Sequence, residues 1–278
     1  MRLIAHLSDL HFGRVDSAVL PALRATIIAA NPSLIVVSGD LTQRARPAEF
    51  RQARQFLASL PFGQLVVPGN HDVPLYNILA RWLAPLARYR RYISADLEPC
   101  WFDDEIAVIG INTARANTFK DGRINARQIA QSGARLESGA SGATRIVVTH
   151  HPFDLPESVG GASLVGGARS AIAGFARSRV DLVLSGHLHG SSAGNSQARY
   201  GAGESALLLV QAGTATSTRR RGEVNSFNLL RIEGDEIGVD CMAWDEARQG
   251  FALSLAHRFR RTDRVWSRVA ANAASAPA

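Results

Sequence analysis

The chain has 278 residues, 46% of them apolar and 20% charged, with only two cysteines, Cys100 and Cys241, outside any C-x-x-C spacing. Such a length and composition support a sizeable core without staples and exclude a wholly disordered chain and a disulfide framework. The net charge of +7 favours anionic partners, whether phosphate esters, nucleic acid or an acidic membrane surface, without choosing among them.

Leu3 to Ser8 is a near-continuous apolar run that predicts a buried strand ending in Asp9-Leu10-His11-Phe12-Gly13. Asp16 or Ser17 caps a helix from about Ala18 to Ala30, Asn31-Pro32 stops it, and Leu34 to Ser38 forms a second buried strand ending in Gly39-Asp40. Pro47 opens a helix to about Leu60, and the strand Gln64 to Val67 runs into Gly69-Asn70-His71-Asp72. Leu75 to Tyr92 mixes apolar residues and arginine at helical spacing, Glu105 to Ile111 is a strand ending at Asn112-Thr113, and Asn125 caps a short helix to about Arg135. The strand Arg145 to Thr149 delivers His150-His151-Pro152; after a glycine-rich stretch and a helix over 168–177, the strand Asp181 to Leu184 delivers Gly186-His187-Leu188-His189. From Ala206 the pattern changes to a meander of strands at 207–211, 227–232, 237–243 and 251–259, and a frayed tail is expected over 270–278. The alternation of strand and helix implies right-handed parallel crossovers. An N-terminus without a secretory signal, and the lack of a run long enough to span a bilayer, lead to the expectation of a soluble cytoplasmic protein.

Five polar turns thus follow five apolar strands, and six of the eight histidines lie in them. A parallel sheet brings Asp9, His11, Asp40, Asn70, His71, His150, His151, His187 and His189 to one rim, the end at which open α/β sheets hold ligands. Any one short motif recurs by chance, but five in register at strand ends do not. Mixed carboxylate, amide and imidazole donors suit manganese, iron, cobalt or zinc better than magnesium or calcium, and there are too many donors for one ion. A bridging carboxylate can hold two cations about 3.5–4 Å apart around a shared water, the arrangement of a two-metal hydrolase acting on phosphate.

The set Asp9-x-His11, Gly39-Asp40, Gly69-Asn70-His71-Asp72, His150-His151 and Gly186-His187-Leu188-His189 resembles the calcineurin-like metallophosphoesterases, in motif order from Met1 to about Phe227. The resemblance implies a four-layer α/β fold, two packed β-sheets flanked by helices. It implies one metal on Asp9, His11, Asp40 and His189, a second on Asp40, Asn70, His150 and His187, and Asp40 as the bridge. A metal-bridging hydroxide would attack phosphorus, with His71 as the non-ligand histidine that assists the leaving group. Gln43 stands where purple acid phosphatases carry a tyrosine, which argues against a purple iron enzyme. Leu7 to Gly13, Gly39-Asp40-Leu41-Thr42, and Gly213-Thr214-Ala215 with Asn225 to Asn228 look most like the bacterial class III cyclic-nucleotide and glycerophosphodiester phosphodiesterases.

Several residues keep two readings. His151 either contacts substrate or braces His150; Asn112 either meets a phosphate oxygen or serves its own turn. Arg219, in the run Arg219-Arg220-Arg221, either reaches a phosphate or belongs to a solvated charge run. His6 reads as a packed histidine and His257 as a solvated one. The basic segment His257 to Val269 suits a membrane or nucleic acid contact, or equally a terminal strand followed by a charged helix. The expected organisation is a catalytic domain over 1–259 and a basic extension with a tail over 260–278. The expected activity is hydrolysis of a phosphodiester in a small-molecule phosphate ester. Alternatives are pyrophosphate hydrolysis of a nucleotide-linked lipid at a membrane surface, a DNA nuclease, and a non-enzymatic scaffold. Oligomeric state is open.

Overall fold

The computed structural model describes residues 1–155, 163–201, 206–218 and 223–269. Arg219 and the 270–278 tail lie outside the described residues.

In chain order the elements are β1 (Arg2–Leu7), α1 (Val19–Ala30), β2 (Leu34–Ser38), α2 (Pro47–Ala58), β3 (Gln64–Val67), α3 (Ile78–Leu83), α4 (Ala87–Tyr92), β4 (Cys100–Phe102), β5 (Ile106–Gly110), α5 (Ala126–Glu137) and β6 (Thr144–Val148). These are followed by α6 (Ala168–Arg177), β7 (Leu182–Ser185), β8 (Ser192–Asn195), α7 (Gln197–Tyr200), β9 (Leu208–Gln211), β10 (Ser226–Glu233), β11 (Glu236–Asp245), β12 (Gly250–Thr262) and β13 (Val265–Val269). One sheet has the order β13-β12-β11-β10-β1-β2-β3 and the other β4-β5-β6-β7-β9-β8. Both are mixed: β1, β2 and β3 are parallel, as are β5, β6, β7 and β9, while the remaining pairings are antiparallel.

Alternation along the central strands explains the layering, because successive side chains point to opposite faces. Ile4, Leu34, Val36, Leu65 and Val67 of the first sheet meet Val108, Ile146, Val148, Leu182, Leu184 and Leu208 of the second in one core between the sheets. The intervening residues Ala5, Leu7, Ile35 and Val37 face outward onto Leu23 and Ile27 of α1 and Phe50 and Phe56 of α2. On the far side Ile109, Val147, Val183 and Leu209 pack on Leu136 of α5 and Ile172 and Phe175 of α6. Three apolar cores therefore separate four layers, helix, sheet, sheet and helix.

Local chemistry sets the helix ends. Pro47 occupies the first turn of α2, and the Glu49 carboxylate reaches back to the Arg44 and Arg46 N–H groups at 2.8 and 3.2 Å. Asn125 Oδ1 accepts from Gln128 N at 2.9 Å to cap α5. At α1 neither Asp16 nor Ser17 is the cap: Ala18 precedes the helix with no side-chain cap, and Asp16 Oδ1 accepts from Ala18 N at 3.1 Å in the turn that leads into it.

Three expectations need correction. The helical stretch over 75–92 divides into α3 and α4, with Pro85 in the break between them. Strand 207–211 leaves the meander: β9 pairs in parallel with β7 in the second sheet, because the apolar run Leu207 to Val210 suits a strand covered on both faces. The charged helix after the last strand is instead β13, paired with β12 from Arg258↔Val269 to Thr262↔Val265. The boundary at position 260 falls inside β12, which runs unbroken from Gly250 to Thr262. Along this hairpin Arg258 pairs with Asp240 at 2.6 Å, Arg260 with Glu236 at 2.6 Å, and Arg261 with Asp181 and Asp235 at 2.6 Å each. Cross-strand ion pairs thus account for basic residues that in the sequence look like a free cationic patch. Among the described residues no helix is long and apolar enough to cross a membrane.

Candidate metal centre

The turns after β1, β2, β3, β6 and β7 converge at one end of the sandwich. Convergence demands unusual backbone: Asp9, His11, Asp40, His187 and His189 all have positive φ, at 52°, 48°, 52°, 75° and 68°. Non-glycine residues enter this region at a cost, and such strain concentrates where side chains must be aimed. The turns also press together closely. A Cβ on Gly69 would lie 2.1 Å from Asp40 Oδ1, and one on Gly39, at φ 92°, would lie 2.6 Å from the His150 ring.

Each carboxylate has one oxygen held and one presented. Asp9 Oδ2 accepts from Ser8 Oγ at 2.6 Å and His187 N at 2.9 Å. Asp9 Oδ1 is buried without a hydrogen-bond partner, 3.4 Å from His11 Nε2 and 3.3 Å from His189 Nε2. Asp40 Oδ1 accepts from His71 N at 2.8 Å, leaving Oδ2 3.4 Å from His150 Nε2 and 3.8 Å from His11 Nε2. His150 Nε2 in turn lies 3.1 Å from Asn70 Oδ1 and 3.2 Å from His187 Nδ1.

The opposite ring nitrogens fix the tautomers. His150 Nδ1 donates to Ser38 O at 2.7 Å and His11 Nδ1 to Thr42 O at 3.4 Å, so each ring, when neutral, turns an Nε2 lone pair inward. Burial works to raise the Asp9 carboxyl, but His189, His11 and His150 hold it well below the usual carboxylate range. Burial likewise opposes ionisation of Asp40, and the His150 and His71 charges overcome it. His150, penalised by burial, is pushed up to about 9 by Asp40 and Asp9. Two buried carboxylates therefore call for positive charge here, from an imidazolium or a cation. An orphaned buried oxygen ringed by imidazole nitrogens fits a metal ion, and Asp9, His11 and His189 offer donor atoms within 4.8 Å of one another, as do Asp9, Asp40 and His150.

Two further histidines border this set, His71 with a donor atom within 4.8 Å of those of His11 and Asp40, and His151 likewise with His150 and His187. His71 is half-buried, its ring edge-on to His11 with centroids 4.9 Å apart, and its Nδ1 donates to Gln43 O at 2.9 Å. His151 is buried and has both nitrogens committed elsewhere: Nδ1 accepts from Thr113 Oγ1 at 2.7 Å, and Nε2 donates to Lys120 O at 3.0 Å. Burial and the neighbouring His150 and His187 charges keep its pKa well below that of a free histidine. Asn112 Oδ1 accepts from Ala114 N at 3.0 Å within its own turn. Asp72 does not meet the His71 ring. It accepts from Gly69 N and Leu41 N on one oxygen, at 2.9 and 3.2 Å, and from Thr42 N and Thr42 Oγ1 on the other, both at 2.9 Å. It thereby ties the β2 turn to the β3 turn.

Supporting roles that the sequence did not assign fall to Ser8, the carbonyls of Ser38, Thr42 and Gln43, and Thr214 and Thr216, whose hydroxyls donate to Asp9 O at 2.8 Å and Leu10 O at 2.6 Å. A hydroxyl or carbonyl leaves no mark in sequence to separate it from the many others.

With this geometry in view, the comparison with known families is direct. The calcineurin-like phosphoesterase family model matches residues 2–191. The chain belongs to that family. It is 28% identical over 167 residues to a glycerophosphodiester phosphodiesterase (GpdQ) of Enterobacter lignolyticus, a match covering 55% of this chain and 58% of that one, so less than two thirds of the relative's length is spanned. It is 26% identical over 202 residues to a probable cyclic nucleotide phosphodiesterase of Synechococcus, covering 67% of this chain and 72% of the relative. A dimetal phosphatase of Danio rerio shares the fold, with a TM-score of 0.61 at 10% identity over 87% of this chain and 96% of that one. The two sheets flanked by helices are therefore the architecture of metallophosphatases.

Proposed function

We propose that the protein hydrolyses a phosphodiester with two divalent transition-metal ions, drawn from manganese, iron, cobalt and zinc. One observation carries the reading: a donor group around Asp9, His11 and His189 and another around Asn70, His150 and His187 are joined through Asp40, whose Oδ2 faces His11 and His150 at 3.8 and 3.4 Å. Asp40 is the shared ligand in this reading. When bound, the cations supply an activated water and neutralise charge on the phosphate oxygens. The names of the two curated relatives favour a diester over a monoester.

The chain's own contribution is orientation and a proton. Ser8, His187 N and His71 N hold the two carboxylates so that their remaining oxygens need no reorganisation. Because Gln43 O holds the proton on His71 Nδ1, Nε2 is the atom that would carry a second proton to the departing oxygen. As the water oxygen bonds to phosphorus the ester P–O bond breaks, and His71 delivers that proton to the alcohol leaving group, yielding a phosphomonoester. His151 acts as a brace for the segment over 113–120, and Asn112 as a turn residue.

The test is hydrolysis of an aryl phosphodiester and its matching monoester by metal-stripped protein titrated with manganese. Metal-dependent turnover of the diester, lowered about 10²- to 10⁴-fold in His71→Ala with manganese content unchanged, is the expected result. Preference for the monoester would overturn the substrate class, and metal-independent turnover would overturn the centre.

A further inference from the structure

Helix α3 is built inside out. It buries its one cation, Arg81, and turns its apolar residues to water: Ile78, Leu79, Trp82 and Leu83 are 68, 71, 61 and 76% exposed. The Arg81 guanidinium donates to Pro74 O at 3.1 Å and Ala116 O at 2.7 Å, also bonds Thr118 O, and lies 4.4 Å from the centroid of the Phe119 ring. Phe119 is itself 62% exposed, and so is Tyr76, at 72%, with Arg44 over its ring. Half of the twelve exposed large apolar residues among those described therefore gather on this one patch. A water-facing helix ordinarily shows the reverse pattern.

The patch adjoins the metal centre, since Asn70 Nδ2 donates to Phe119 O at 3.4 Å. Its charge selects what covers it. Arg81 is held in its carbonyl cage, Arg88 bonds Ala45 O, and exposed Lys120 is offset by exposed Asp121. Arg44 lies over the Tyr76 ring, and from Val73 to Ala95 the chain has no acidic residue and two exposed arginines, Arg90 and Arg91. A second copy would set these cations against one another. An anionic lipid surface would complement them, take up the leucines and isoleucine, and place Tyr76, Trp82 and Phe119 at the headgroup level that aromatic residues favour.

We propose that the α3–Phe119 patch docks the protein on anionic lipid bilayers, beside the mouth of the metal centre. The proposal is independent of which ester is cleaved. It is tested by co-sedimentation of the full chain with vesicles of phosphatidylcholine alone or mixed with phosphatidylglycerol, together with the fluorescence shift of Trp82 judged against Trp82→Phe. Expected are binding to the mixed vesicles that weakens in high salt, and binding lowered about tenfold or more in the double variant Leu79→Glu, Leu83→Glu. Arg90→Glu with Arg91→Glu, both exposed, should weaken binding without touching the apolar face. Thermal melting and turnover of a soluble aryl diester should be unchanged in the leucine variant, which separates this proposal from the catalytic reading. No binding to mixed vesicles, equal binding by the leucine variant, or a wild-type dimer that the leucine variant dissociates would each overturn it.

Discussion

Asp40 shows how much of the centre depends on single atoms. One of its oxygens is tied to His71 N, and the turn that carries His71 can approach only because position 69 lacks a side chain. Gly69→Ala would drive a Cβ to 2.1 Å from Asp40 Oδ1 and 2.3 Å from Asp40 N, neither of which can swing away. Metal analysis of the purified variant should show manganese content reduced by about half or more, and diester turnover falling with it. Gly194→Ala, where nothing lies within 4 Å, is the matched control and should leave both intact. Asp40→Ala should empty or disorder both sites at once; full occupancy of two metals in that variant would remove Asp40 from its bridging role.

At the scale of elements, the two sheets are tied at one edge by polar contacts as well as packing. Asp181, at the start of β7, accepts from Arg261 of β12 at 2.6 Å, from Trp266 Nε1 of β13 at 3.2 Å and from Arg145 N at 2.9 Å. Asp181 is only 6% exposed and Trp266 1%. Asp181→Ala strands the buried Trp266 indole N–H and removes one of the two carboxylates that hold the half-buried Arg261, which keeps Asp235, so its urea midpoint should fall by the equivalent of about 1–2 kcal/mol. Asp181→Asn keeps a single acceptor oxygen, for the indole or for Arg145 N but not both, and should restore part of the loss. Equal stability of Asp181→Ala and wild type would mean that packing alone closes this edge.

For the molecule as a whole, a buried histidine that is not among the metal donors contributes to acid sensitivity. His6 is wholly buried, with Nε2 against Ser38 Oγ at 2.9 Å and Nδ1 without a partner. Burial lowers its pKa from 6.5 to about 3, against a smaller opposing effect from Asp9. Between these values the unfolded chain binds the proton and the folded chain does not, so stability is full above about pH 6.5 and is lost as the pH falls towards 3. The slope from this residue alone approaches about 1.4 kcal/mol per pH unit. Urea unfolding of metal-stripped protein at neutral and mildly acidic pH should therefore show a steeper acid loss for wild type than for His6→Gln. Parallel losses in the two proteins would assign the acid sensitivity to other groups.

The polar turns, their order and the parallel strands that carry them follow from sequence alone, because apolar runs, helix caps and the donor chemistry of Asp, Asn and His are local properties. That is why the boundaries of α1, α2, α5 and β2 fall within two residues of expectation. Partnership is not local. Whether the 208–211 strand joins the meander or the second sheet, whether 265–269 is helix or strand, and whether Arg258, Arg260 and Arg261 are a free patch or a ladder of ion pairs depend on segments far away in the chain. The same holds inside the centre. Sequence put His151 next to His150, but only the folded chain turned both of its nitrogens towards Thr113 and Lys120. Sequence also placed Arg81 among apolar residues, while the cage of carbonyls that buries it and leaves its neighbours in water is a tertiary construction.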